Sequence, residues 1–259
     1  MRRFFNILAI TIILAASILP VGCHAPATVD SNLKKAAIVD QLYLREPNPE
    51  LITEATRILE SYGFEVDVWQ GSDITVDFYR SLPSLGYKFI LLRVHSGLLL
   101  EDGKPVFNTM FLFTAELYST NKYIGDQLTD KVSYAAMDND SPYVFAVSSD
   151  FIKSADGEFN NTIVLMMGCE SFKYDDMPAA FIEKGASVYV GWNDVVSLEY
   201  VDMVTLSLLE HLCTANMTLS QSISLTMEEM GADPYFGSYL RYYPLESGDN
   251  TLAELIQGY

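Results

Sequence analysis

The chain predicts an α/β fold: a three-layer sandwich whose mainly parallel sheet carries helices on both faces, with a small β insertion. Two observations predict the layers. Short apolar runs bounded by turn residues alternate with amphipathic helical patterns, the signature of parallel strands joined by crossover helices. "KFILLRV" and "TIVLMMG" are apolar almost throughout, as strands covered on both faces must be. A third observation adds an insertion, because between these two runs the pattern turns aromatic and β-branched with no helix-length period.

Residues 1–22 stand apart from that fold. Arg2 and Arg3 precede the apolar run Phe4–Leu19, and "VGC" follows as a processing site, so residues 1–22 read as an export signal. Gly22-Cys23 is the end of a lipobox, which makes Cys23 a lipid-attachment candidate, although Pro20 departs from the aliphatic residue usual three positions earlier. The alternative is an uncleaved signal anchor. Both place the globular part outside the cytoplasm, tethered to the outer face of the cell membrane.

Residues 23–34, with "HAPATVDSN", read as a tether, and residues 35–259 as a single domain. Loss of residues 1–22 removes two arginines and takes the net charge from −18 to −20. So acidic a chain has no surface for neutralising phosphates, which excludes nucleic acid as a partner. Cys169 and Cys213 alone do not make a disulfide framework.

The elements follow in order. "KKAAIVDQL" is a buried strand ending near Asp40. "NPELITEATRILESYG" is a helix with Asn48 as cap, Pro49 in the first turn and Gly63 beyond the end, its Ile52, Ala55, Ile58 and Leu59 on one face. "FEVDVWQ" is a strand, "SDITVDFYRSLPSLG" a helix broken before Pro83, and "YKFILLRVHSG" a third strand entering a turn. "VFNTMFLFTAELY", "KVSYAAM" and "YVFAVSSDFI" are strands of the insertion. "NTIVLMMGC", "MPAAFIEKG" and "ASVYVGW" resume the strand, helix, strand alternation. Two helices follow, "LEYVDMVTLSLLEHLCTA" and "TLSQSISLTMEEMG", the second capped by Thr218 or Ser220.

Few residues are available for chemistry. His211 and Cys213 lie two apart on one helix, so they do not share a face, and no metal-ligating cluster surrounds them. His95 and Cys169 each close an apolar strand. In a parallel sheet both emerge at the carboxyl edge, where open α/β sheets bind ligands. Each alone reads equally well as a loop histidine or a buried thiol. Together they form the minimum apparatus for nucleophilic attack on an acyl carbon. Gly97 and Gly168 beside them allow close backbone approach and N–H groups for an oxyanion.

A strand ending in histidine and glycine, an insertion, and an apolar strand ending in "GCES" resemble the caspase-like clan of cysteine peptidases, which includes caspases, legumains, gingipains, clostripains, separases and CHAT domains. "MMGCES" is similar to the element around the legumain nucleophile, and "AAFIEKGASVYVGWNDVVSLEYVD" (Ala179–Asp202) to a CHAT segment. The resemblance covers roughly Ala36–Leu225 and implies that the three-layer sandwich is of caspase-like type.

It implies Cys169 as nucleophile, His95 as acid–base partner, and the N–H groups of Cys169 and Gly97 as the oxyanion hole. It implies a peptide or protein substrate. Asp40, Glu170, Trp192 and Asp194 fall in segments that line the substrate pocket in the clan, and carboxylates there would favour a basic residue before the scissile bond. In the clan glycine directly follows the histidine, whereas here Ser96 intervenes, a feature that favours the alternative of an inactive surface module binding a peptide or partner protein. No metal or cofactor is implied for catalysis. "DNDS" (Asp138–Ser141) offers oxygens suited to Ca²⁺, without EF-hand spacing. A solute-binding lipoprotein is disfavoured, since one α/β unit does not supply two closing lobes.

Overall fold

The computed structural model describes residues 34–101, 104–137, 140–213 and 217–258. The export signal, Cys23, the tether up to Leu33, and residues 138–139 of "DNDS" lie outside the described residues.

In chain order the elements are β1 (Lys34–Asp40), α1 (Pro49–Tyr62), β2 (Phe64–Gln70), α2 (Val76–Ser81), β3 (Tyr87–Arg93), β4 (Ser96–Glu101), β5 (Lys104–Leu117) and α3 (Ile124–Gln127). There follow β6 (Val132–Ala135), β7 (Val144–Ser148), α4 (Ser149–Lys153), β8 (Thr162–Met166), α5 (Asp176–Glu183) and β9 (Ala186–Trp192). The chain closes with α6 (Leu198–Cys213), α7 (Leu219–Met230), β10 (Leu240–Tyr243) and α8 (Leu252–Gln257).

Six strands form the central sheet in the order β10-β9-β8-β3-β1-β2, parallel except for β10, which runs antiparallel to β9. Strand geometry sends successive side chains to opposite faces, and here that produces two cores. Ala36, Ile38, Phe89, Leu91, Ile163 and Leu165 pack against α1, α6, α7 and α8. Ala37, Val39, Ile90, Leu92, Val164 and Met166 pack against α2, α4 and α5. This is the three-layer, mainly parallel architecture that the alternating pattern predicts.

Local signals account for the helix ends. The Asn48 side chain accepts from the Leu51 N–H, Pro49 opens α1, and Gly63 closes it at φ +103°. Leu51 joins Ala55, Ile58 and Leu59 in the core, while Ile52 is only partly buried. Thr218, rather than Ser220, caps α7, in a capping box with Gln221.

Two elements differ from the sequence pattern. The stretch before Pro83 is not one helix but a 3-10 turn (Gly71–Asp73), then α2 started by the Thr75 hydroxyl, then a second 3-10 turn holding Pro83. "YVFAVSSDFI" is a strand only as far as Ser148, whose hydroxyl caps α4 and turns Phe151 and Ile152 into the core.

The insertion forms a second sheet, ordered β4-β5-β7-β6. Its inner face supplies Met110, Leu112, Val132, Phe145 and Val147 to the core on the α2 side, where β5 and β7 pack against α2, α4 and α5.

At the carboxyl edge, β1 and β3 are in register with Asp40 opposite Arg93. Both side chains turn to the α1/α6 face. Arg93 is 1% exposed and donates to Asp40 Oδ1 (2.8 Å), to both Asp202 oxygens of α6 (3.0 Å each) and to the Glu46 carbonyl (2.9 Å). Asn48 adds a hydrogen bond to Asp202 Oδ2 at 2.8 Å. One guanidinium thus joins β1, β3, α6 and the loop before α1, two residues before His95.

Removing one member of such a buried network leaves charges unpaired, at a cost of about 3–5 kcal/mol. Arg93→Met is expected to lower unfolding free energy by about that amount in urea titrations, because Asp40 and Asp202 stay buried. A loss below about 1 kcal/mol, the range of an exposed pair, would contradict the assignment.

Candidate active site

β3 ends at Arg93, and the chain passes through Val94 and His95 directly into β4 of the second sheet, not into a turn. Gln41, itself buried after β1, fixes this crossing: its Oε1 accepts from the His95 N–H (3.0 Å) and its Nε2 donates to the Thr114 carbonyl (3.1 Å). The His95 ring lies against Phe113, with centroids 6.0 Å apart.

β8 ends at Met166, and Met167 to Phe172 form a tight connection. It is bonded to both neighbouring strand ends, through Met167 N–H to Leu92 O (2.9 Å), Glu170 N–H to Asp194 O (3.0 Å) and Phe172 N–H to Trp192 O (2.9 Å). Gly168 is required here, because a Cβ would stand 2.6 Å from the Val94 carbonyl oxygen and closer still to Ser96 Oγ. Glu170 adopts φ +55°, a left-handed conformation uncommon for a residue other than glycine.

This connection brings Cys169 and His95 to one cavity of about 70 Å³. Leu42, Val94, Met167, Gly168, Val196, Leu198 and Val201 complete its lining. The Cys169 thiol donates to the Val196 carbonyl at 3.4 Å, not to His95. Among the described residues, no main-chain carbonyl accepts a hydrogen bond from the N–H of Gly168 or Cys169. Ser96, the residue that separates His95 from Gly97, donates its hydroxyl to the Cys169 carbonyl at 2.6 Å. It therefore ties the cysteine's backbone to the start of β4.

Three of the sequence-derived assignments need correction. Gly97 lies within β4 opposite Phe111. Since the Phe113 N–H bonds to the His95 carbonyl, the alternation of antiparallel ladders makes Gly97 and Phe111 the next hydrogen-bonded pair. The Gly97 N–H is committed to the sheet and is no oxyanion donor. Asp40 is fully buried and paired with Arg93, so it meets no substrate. Trp192 is 1% exposed and packs edge-on to Tyr200 in the core.

Glu170 and Asp194 do reach this edge but not the cavity. Lys173 Nζ sits 3.2 Å from Asp194 and 3.8 Å from Glu170, so both carboxylates already have a cation. Burial raises the Glu170 carboxyl, while the Val195 N–H lowers that of Asp194.

Residues that pattern reading passed over include Arg93, Asp202, Gln41, Val196 and Asp233. Asp233 accepts from the Ser197 N–H and hydroxyl and from the N–H groups of Tyr235 and Phe236, holding the 195–198 segment against the cavity. Asp40 and Arg93, at matching ends of neighbouring strands, left a signal in the sequence. Asp202 and Asp233 left none, because their partners lie far along the chain.

No metal-ligating group of three or more His, Cys, Asp or Glu occurs among the described residues.

Burial sets the electrostatics. It pushes the Cys169 thiol above its ordinary value, and Glu170 and Asp233 add to the rise against main-chain hydrogen bonds to the sulfur at Val196 and Cys169. It pushes the His95 imidazole below the ordinary histidine range, outweighing Glu46. Both groups are therefore neutral at pH 7 in the unliganded protein. The thiolate is the form that reacts, so alkylation of Cys169 by iodoacetamide should keep accelerating as pH rises through about 8.5, the ordinary thiol value. A plateau reached below pH 7 would instead reveal a thiolate–imidazolium pair and contradict this assignment.

No protein-family model matches the chain, and no curated protein matches it. Among solved structures it is similar to a chain of the Saccharomyces cerevisiae separase–securin complex, with 11% identity and a TM-score of 0.43, over 80% of this chain and 12% of that chain.

Proposed function

We propose that this protein is a cysteine peptidase of caspase-like type in which Cys169 is the nucleophile and His95 the general acid–base. The observation that carries the reading is the shared cavity: the two residues come from separate strand ends, 74 positions apart, and line one small space.

In the reaction, a substrate carbonyl displaces the Val196 carbonyl from the thiol. His95 takes the Sγ proton as sulfur bonds to the carbonyl carbon. The oxyanion so formed accepts from the N–H groups of Cys169 and Gly168, which no main-chain carbonyl engages. The protonated His95 then gives its proton to the leaving amine as the C–N bond breaks. Water attacks the resulting thioester with His95 as base, the C–S bond breaks, and the thiol is restored.

The neutral imidazole is the form this sequence needs at its start. Residues 2–23 support the accompanying proposal that the domain works outside the cytoplasm, held at the membrane through a lipid on Cys23 or an uncleaved anchor.

A second reading is favoured by one observation, the thiol bonded to a main-chain carbonyl instead of to His95. In that reading the fold binds a peptide without cleaving it.

Labelling by an acyloxymethyl-ketone probe separates the two. A peptidase is labelled at Cys169, loses all labelling in Cys169→Ala, and loses about 10²–10⁴-fold in peptide turnover in His95→Ala. A folded wild-type protein that resists the probe while binding peptide would be the non-catalytic module.

A further inference from the structure

We propose that the residue on the acyl side of the scissile bond is small and apolar, alanine- to valine-sized, and that Leu42, Val196, Leu198 and Val201 select it. This rests on Cys169 being the nucleophile and deepens that reading by naming its substrate class.

The first argument is chemical. A side chain next to the carbonyl attacked by Cys169 must enter the space beside Sγ. Apart from Cys169 and His95, that space is lined by Gly168 and by aliphatic or thioether side chains, Leu42, Val94, Met167, Val196, Leu198 and Val201. No carboxylate, amide or hydroxyl side chain is among them. A lysine or arginine head group placed there would lose its hydration without gaining a partner. Three carboxylates of this edge are engaged elsewhere, Asp40 with buried Arg93 and Glu170 and Asp194 with Lys173, and Glu46, which acts on His95, is not part of the lining. An acidic side chain would meet no cation on this lining.

The second argument is size. One water needs about 10–15 Å³ of comparable volume, and the cavity offers about 70 Å³. That suits a methyl or isopropyl group better than an aromatic ring or a long aliphatic chain.

Two features keep the walls in place. Val196 is held by Ser197 on Asp233 and by the Ser238 hydroxyl on the Val195 carbonyl. Val201 belongs to α6, which Arg93 anchors through Asp202. The pocket is accordingly part of the frame and does not reshape to suit larger residues.

The test uses the full chain and a set of peptides differing only in the residue before the scissile bond, with iodoacetamide alkylation of Cys169 measured in parallel. The expected kcat/KM for alanine or valine exceeds that for arginine, lysine and aspartate by about 100-fold or more, and that for phenylalanine by about tenfold or more, the range a hydrophobic pocket supplies. Leu198→Ala, at the half-buried start of α6, should shift preference toward leucine or methionine by about tenfold. Arginine or lysine cleaved as fast as alanine overturns the proposal while leaving Cys169 as nucleophile. So does a profile that Leu198→Ala does not move. Alkylation of Cys169 with no peptide cleaved overturns both this proposal and the peptidase reading.

Discussion

The geometry of the carboxyl edge depends on one buried guanidinium. Arg93 ends β3, lies opposite Asp40 in the sheet and binds both oxygens of Asp202 in α6. Two carboxylates share one cation, and Asp40 Oδ2 has no hydrogen-bond partner among the described residues. Burial raises the Asp40 carboxyl against the pull of Arg93. Such an arrangement is a poor source of net stability, since desolvation consumes most of the Coulombic gain. Its value is positional. It fixes where β3 ends, and so where His95 begins, and it sets the distance between the sheet and the helix that walls the cavity.

A second constraint acts on the cysteine. Residues 167–172 are bonded to β3 on one side and to the end of β9 on the other, while Ser96 grips the Cys169 carbonyl from β4. Gly168 has no room for a side chain, and Glu170 accepts a left-handed backbone. Cys169 is thereby held by the same strands that carry His95. The cavity between them is apolar and small, and burial there keeps both groups neutral. Ser96, in sequence the mark of a departure from the clan, is in space a clamp on the Cys169 connection.

The sequence displayed its layers clearly because strand and helix periods are local properties. β1, β3, β8 and β9 were legible as apolar runs, and α1 and α7 as capped amphipathic helices. Terminal details were less so. Ser148 turns a strand-like stretch into α4, and Thr75 with Pro83 divides another into short turns, since one cap or one missing donor outweighs a propensity. That His95 and Cys169 reach one edge of the sheet was legible from parallel topology.

The remaining site residues were not legible, because they depend on contacts between distant segments. Asp40 and Trp192 sit at the proper edge yet face the core, and the alternation of side chains could be assigned only once register was known. Gly97 fell inside a ladder that the pattern had presented as a turn. Asp202 was quoted in sequence as the end of a motif, and its role became visible only beside Arg93.

The central claim is that Cys169 takes up the acyl group. Rapid acid quenching during turnover of a peptide ester, followed by peptide mapping in a mass spectrometer, tests it most directly. The account predicts an acyl mass on the peptide containing Cys169 that appears within the first turnover and decays once ester is exhausted. An acyl group found instead on Cys213, or no adduct while product accumulates, would contradict it.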